Sequence, residues 1–168
     1  FVFTRCEGSD CIVKKGVQYI ALEKNGLKIH LFGLHLQAQK EYATSRLAQF
    51  PQLQHFIEKQ NIPQSELVLV AGDFNVDYFA RAIDKEFSKL TMGSGLVLAD
   101  SSPAASYEGR SNTYVEDEVA ERLDYVFHSS RNLIPTHASN QVLYFRKEGI
   151  DLSDHHAVLG RFRIGPGT

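Results

Sequence analysis

Three short polar clusters, each expected at the end of an apolar strand, hold the residue types that do chemistry: Gly33-Leu34-His35-Leu36, Gly72-Asp73-Phe74-Asn75 and Ser153-Asp154-His155-His156. A fourth segment, Arg122-Leu123-Asp124-Tyr125, lies between the second and third. Histidine titrates near pH 7, so His155 and His35 are candidates to take or give a proton. Asp73, Asn75, Asp124 and Asp154 bring carboxyl and amide oxygens that accept hydrogen bonds beside them. Singly, each has a plainer explanation. A lone histidine satisfies ordinary hydrogen bonds, and Asp and Asn two apart at a strand end also make turns and helix caps. His156 is set aside because adjacent strand residues point to opposite faces. His30, His55, His128 and His137 belong to no motif.

These clusters need elements to position them. Val17 to Glu23 and Lys28 to Leu34 read as strands around Asn25-Gly26, a dipeptide suited to the positive φ angles of a tight hairpin. From Ala43 to Lys59, Leu47, Phe50, Leu53, Phe56 and Ile57 recur at helical spacing, with Pro51 expected to kink or split the helix and Asn61-Ile62-Pro63 to end it. Leu67 to Ala71 is an apolar run of the sort buried on both faces of a sheet. Phe79, Ile83, Phe87 and Leu90 space out a second helix, with Gly93 and Gly95 past its end. Ser101 to Glu121 reads as a long surface loop. Leu123 to His128, Gln141 to Arg146 and His156 to Ile164 are the remaining strands, and Gly165-Pro166-Gly167 a frayed tail. With no repeat or linker, residues 1–168 read as one α/β unit.

Composition narrows the partners. The chain has 168 residues, 43% hydrophobic and 23% charged, with a formal net charge of -2. That is the profile of a folding domain. It offers no basic field to hold nucleic acid or an anionic membrane, so phosphate recognition has to be local and no stable nucleic-acid partner is expected. No apolar run approaches the ~20 residues of a membrane span. No signal peptide is visible, and the opening at Phe1 without a Met leads us to expect further chain upstream. Cys6 and Cys11 are the only cysteines. Their spacing allows either a small disulfide loop or two free thiols, and no partner ligands accompany them as in a zinc site.

Taken together and in order, the four motifs resemble those of the endonuclease/exonuclease/phosphatase superfamily. Lys15-Gly16-Val17-x-Tyr19, His35-Leu36-Gln37-x-Gln39 and Asn61-Ile62-Pro63 ahead of Gly72-Asp73-Phe74-Asn75-Val76 are similar to its bacterial neutral sphingomyelinase branch, across nearly the whole chain. The resemblance implies an α/β (α+β) fold, the C-terminal half of a four-layer sandwich of the deoxyribonuclease I type. It implies Mg²⁺, with Mn²⁺ or Co²⁺ as substitutes, and in-line attack of water on a phosphodiester. His155 resembles the general base and Asp124 the carboxylate that orients it. Asp73 resembles a residue that positions water or binds metal, Asp154 a metal ligand, and His35 and Asn75 donors to the phosphate oxygens.

The implied substrate is sphingomyelin at a membrane surface, split to ceramide and phosphocholine by a secreted or membrane-peripheral protein. A sibling nuclease or inositol-phosphate phosphatase would use the same motifs, and a non-catalytic half-domain that binds a lipid head group or a partner is the reading of another class. The family draws an Asn and a Glu for its main Mg²⁺ from a first half that this sequence does not contain. A half sandwich is expected to expose the inner face of its sheet. Leu34 stands where the family usually has Thr, and Thr113-Tyr114 lacks a following Asp-Pro. The stretch from Asn140 to Asp151 is short for a membrane-inserting hairpin, so Val142 to Phe145 reads first as an ordinary strand.

Overall fold

Asn25 and Gly26 take φ angles of 53° and 77°, so the chain reverses tightly between β1 (Gly16–Lys24) and β2 (Leu27–His35), as the dipeptide predicts. The structure, a computed structural model, describes residues 1–81, 85–99 and 104–165. The hairpin leads through a 3₁₀ turn at Lys40–Tyr42 into α1 (Ala43–Glu58), which returns the chain for β3 (Leu67–Asp73) to pair parallel to β2. A second helix, α2 (Glu86–Ser94), precedes β4 (Leu96–Val97). A small hairpin of β5 (Tyr107–Glu108) and β6 (Ala120–Glu121) follows, then β7 (Asp124–Ser129) and β8 (His137–Leu143). Last come β9 (Arg146–Lys147), β10 (Ile150–Asp151) and β11 (Ala157–Arg163). The main sheet has the mixed order β1-β2-β3-β7-β4, and β8 pairs with β11 beside it. The class is therefore α+β.

Register explains how one sheet serves two purposes. Tyr19, Phe32, Val70 and Phe127 are lateral neighbours across four strands, so their side chains share a face. That face packs on Phe50 and Leu53 of α1 and Leu90 of α2 to form the core. The opposite face carries Ile20, Leu31 and Leu69 in one row and Leu22, Ile29 and Leu67 in the next. Ile20 and Leu22 are exposed there. The β8–β11 pair covers the other end of that face. Gly160 makes the approach close, because a Cβ there would lie 2.8 Å from Val126 Cβ.

Several expectations are corrected. Helix α1 is one continuous element through Pro51; the missing amide costs one hydrogen bond, while buried Phe50 and Leu53 on either side anchor the helix to the sheet. The second helix begins at Glu86, not at Phe79, and Ile83 lies outside the described residues. Phe79 is in a turn instead because its N–H donates to Asp77 Oδ1 at 3.0 Å, an Asx turn that competes with helix. Gly93 sits inside α2, and Gly95, at φ 66°, ends it. Strand β8 starts at His137 and ends at Leu143, so Tyr144 and Phe145 fall beyond it.

The segment expected as a surface loop is also more structured than its composition suggests. Residues 101–103 lie outside the description, but Ala105, Ser106, Asn112 and Val115 are buried. Their polar groups are used in hydrogen bonds to the motifs. Cys6 and Cys11, left open by spacing, are joined by a disulfide.

Candidate active site

Sheet register assembles the site. His35 ends β2, Asp73 ends the parallel β3, and Asp124 begins the antiparallel β7, so the three are lateral neighbours at one edge. A strand that runs the other way starts where its neighbours finish. The Ser153–His156 cluster, likewise, precedes β11 and does not end a strand. All three side chains lie on the face that carries Leu31 and Leu69, away from the core.

Gly72 lets the strand end this way. Its φ is 141°, and a Cβ there would fall 1.9 Å from Leu34 O, a collision with fixed backbone that leaves glycine alone at this position. Asn75 turns the chain out of β3 with φ 50°. Its N–H donates to Asp73 Oδ1 at 2.8 Å and its Nδ2 to Leu36 O at 3.1 Å, leaving the amide oxygen and the second Nδ2–H with capacity to spare.

His155 Nδ1 lies 2.7 Å from Asp124 Oδ2. Burial would lower the pKa of this imidazole, but the hydrogen bond and charge of Asp124, with Asp73 and Asp154 nearby, outweigh it and hold the ring above its ordinary value. With Nδ1–H donated to the carboxylate, Nε2 is left as the basic atom. The Tyr107 ring packs at 5.0 Å from the His155 ring. On the other side, His35 Nε2 is 3.2 Å from Asp73 Oδ2 and 2.8 Å from Lys15 Nζ, and Asp10 Oδ1 lies 3.6 Å from the same Lys15.

His35, Asp73, Asn75, Asp154 and His155 line one cleft of about 590 Å³, with Lys15 and Tyr107 in its wall. His156 is buried elsewhere, its Nε2 3.3 Å from Ser111 Oγ and its ring 4.4 Å from Tyr144. Asp73, Asp124 and His155 each bring a ligand atom within 4.8 Å of the others. The 2.7 Å bond makes Asp124 and His155 a dyad, so Asp73, the Asn75 amide oxygen and Asp154 are the oxygens that remain. Such a set fits a hard divalent cation of the Mg²⁺ type.

Residues that carry no motif hold this arrangement. Ser106 is fully buried. Its Oγ accepts the N–H groups of Leu123 and Asp124 at 3.0 and 3.1 Å, and its carbonyl accepts the N–H of His156 at 2.7 Å. It therefore ties together the two segments that carry the dyad. Asn112 Nδ2 donates to the carbonyls of Ser153 and Asp154 at 2.8 and 3.1 Å. Asp151, beside them, accepts the Thr113 N–H and an Arg146 Nε–H, both at 2.9 Å. No local pattern marks Ser106 or Asn112. Lys15 stood within a recognised motif without a role.

A model of the endonuclease/exonuclease/phosphatase family matches residues 8–155. A sphingomyelinase C of Bacillus cereus is 30% identical over 156 residues, which cover 85% of this chain and 47% of the relative. One from Listeria ivanovii is 27% identical, covering 95% and 53%. The chain thus spans about half the length of these relatives. The beta toxin of Staphylococcus aureus superposes with a TM-score of 0.83 at 25% identity, over 96% of this chain and 62% of that one. For a sphingomyelinase C from Streptomyces griseocarneus the TM-score is 0.78 at 29% identity, over 95% and 61%.

Proposed function

This chain belongs to the endonuclease/exonuclease/phosphatase family, and we propose that it supplies the general-base side of a Mg²⁺-dependent phosphodiesterase whose substrate is sphingomyelin. The observation that carries the reading is the His155–Asp124 dyad at 2.7 Å facing Asp73 across one cleft. Relatives that carry the name sphingomyelinase C support the choice of substrate.

In this reading His155 Nε2 takes a proton from water as its oxygen attacks phosphorus. Asp124 stays ionised and stabilises the imidazolium that forms, and the whole arrangement is worth about 10²- to 10⁴-fold in rate. Asp73 orients that water or shares the cation. His35, supported by Lys15, and Asn75 meet the phosphate oxygens where charge grows. Asp73, Asp154 and the Asn75 amide oxygen are the groups that would hold Mg²⁺, which when bound neutralises the phosphate and eases departure of the ceramide alkoxide. Phosphocholine leaves with the oxygen from water. We assign the protein a peripheral or secreted setting beside its lipid. No helix of the described residues is long and apolar enough to cross a membrane.

The test is phosphocholine release from sphingomyelin vesicles by the longest form of the protein, with and without Mg²⁺, against His155→Ala. Release that needs both the ion and His155 is expected. Release that survives His155→Ala would refute the dyad, and faster cleavage of plasmid DNA than of lipid would move the substrate to nucleic acid.

A further inference from the structure

The small hairpin beside the dyad carries a second pair of side chains into the cleft wall. Tyr107 of β5 and Glu121 of β6 are direct partners in the ladder, so their side chains share a face. Both line the cleft, whereas Glu108 and Ala120, which alternate to the other face, do not. The hairpin is fixed against the base. Tyr107 makes a backbone bridge to His155, its ring packs 5.0 Å from the imidazole, and the Ser106 N–H donates to Glu121 O at 2.9 Å. An aromatic ring and a carboxylate thus stand side by side next to His155, and neither is used to move the proton or to hold Mg²⁺.

Their surroundings select a cation. Seven carboxyl groups and three Lys or Arg side chains line the cleft, a balance that attracts positive charge. Burial first, then the charges of Asp154, Asp117 and Glu121, push the Tyr107 phenol above its ordinary pKa. The ring therefore stays neutral and keeps the negative face that draws a cation. Glu121 already holds one. Its side chain, 13% exposed, is paired with the ammonium of Lys40, whose side chain is 78% exposed. An ion pair with one partner so open to water is worth little, so a cation that also gains the ring can displace Lys40.

A quaternary ammonium suits this pair. It donates no hydrogen bond, and is recognised by ring faces and by charge. In a choline ester it lies only two carbons from the phosphate oxygen, so it has to bind close to the base, which is where Tyr107 stands.

We infer that Tyr107 and Glu121 form the subsite for a quaternary ammonium head group, and that the Lys40 ammonium is its internal stand-in in the free protein. The inference rests on the phosphodiesterase reading and adds the residues that make a choline ester the preferred diester.

The test pairs p-nitrophenyl phosphorylcholine with its 3,3-dimethylbutyl analogue, in which carbon replaces nitrogen and only the charge is lost. The longest form of the protein, with Mg²⁺, is expected to cleave the choline ester with a kcat/KM about tenfold higher. Glu121→Gln should cut that preference about fivefold, through KM. Tyr107→Leu should narrow it as well, and Tyr107→Phe should keep it, because the ring face and not the hydroxyl meets the cation. Lys40→Met, which removes the competitor, should widen it about twofold, and this ratio decides if Glu121→Gln does not fold.

Equal cleavage of the two esters by the wild type, or a ratio that Glu121→Gln and Lys40→Met leave unchanged, would overturn the subsite and leave the phosphodiesterase reading standing. If neither ester is cleaved, that reading falls, and saturation-transfer NMR with choline chloride judges the subsite alone. Transfer to the choline methyl protons that 3,3-dimethyl-1-butanol does not receive, and that Glu121→Gln abolishes, would support it; no such transfer would overturn it too.

Discussion

Replacing Asn112 by Asp changes one NH₂ group to oxygen and almost nothing of the shape. Asn112 is 4% exposed. Its Nδ2 serves the carbonyls of Ser153 and Asp154, while Oδ1 accepts the Tyr114 N–H at 2.9 Å. Asn112→Asp keeps the acceptor and points a second oxygen at two carbonyl oxygens that now lack donors. A buried acceptor left unsatisfied costs about 1–3 kcal/mol. Ser153 and Asp154 are themselves exposed, so water answers their carbonyls in part, and the loss at pH 7 comes to about 1–3 kcal/mol.

The sign of the pH dependence follows. The new carboxyl is favoured as the neutral acid in the fold, so its folded pKa lies above its unfolded one, and the stability it provides is present at low pH and lost as pH rises through the folded value. Urea denaturation at pH 5 and pH 7.5 should therefore show Asn112→Asp recovering in acid relative to Asn112→Ala, which carries no titrating group. The low-field proton of His155 Nδ1–H, read by NMR at pH 7.5, should weaken or vanish as the Ser153–His155 turn loosens. If Asn112→Asp costs under about 0.5 kcal/mol at both pH values, the range of an ordinary surface change, and the His155 proton is unmoved, the clamp is refuted.

Gly72→Ala should cost at least about 3 kcal/mol or prevent folding, because the Cβ meets Leu34 O and not a yielding side chain; a melting temperature within a few degrees of wild type would contradict this. Asp124→Ala should lower phosphodiester hydrolysis about 10²- to 10⁴-fold with little change in KM, and a defect confined to KM would deny Asp124 its place beside the base. The Asp151 carboxyl is held low chiefly by its hydrogen bond from Arg146, with help from Thr113. Its stabilisation is present above the ordinary carboxylate range and lost as pH falls through the lower folded value, so Asp151→Asn should differ from wild type at pH 7 and converge with it in strong acid. Reducing the Cys6–Cys11 bond with a dithiol closes no long loop and should cost only about 2 kcal/mol, measured by denaturation with and without reductant.

Much of the site was readable before any coordinates. Resemblance of the motifs to a known family names His35, Asp73, Asn75, Asp124, Asp154 and His155 as candidates, and the hairpin at Asn25-Gly26 and the apolar run at Leu67 follow from backbone preference and burial within a few residues. Local rules misread Phe79, because its Asx turn depends on Asp77, which also accepts the N–H of Arg122, 45 residues away, at 3.1 Å. They also passed over the 104–121 segment, where small polar composition looks like solvent-facing loop until its partners are in place.

What the sequence alone determined is therefore the inventory: which side chains can carry a proton, hold an oxygen-seeking cation or pair as strands. Those properties belong to each residue and its near neighbours. Only the tertiary structure decided that Asp124 lies 2.7 Å from a histidine 31 positions on, and that Ser106 and Asn112 fasten the segments that carry them. Such contacts depend on sheet register and on hydrogen bonds that span tens of residues, and no periodicity along the chain encodes a distance across it.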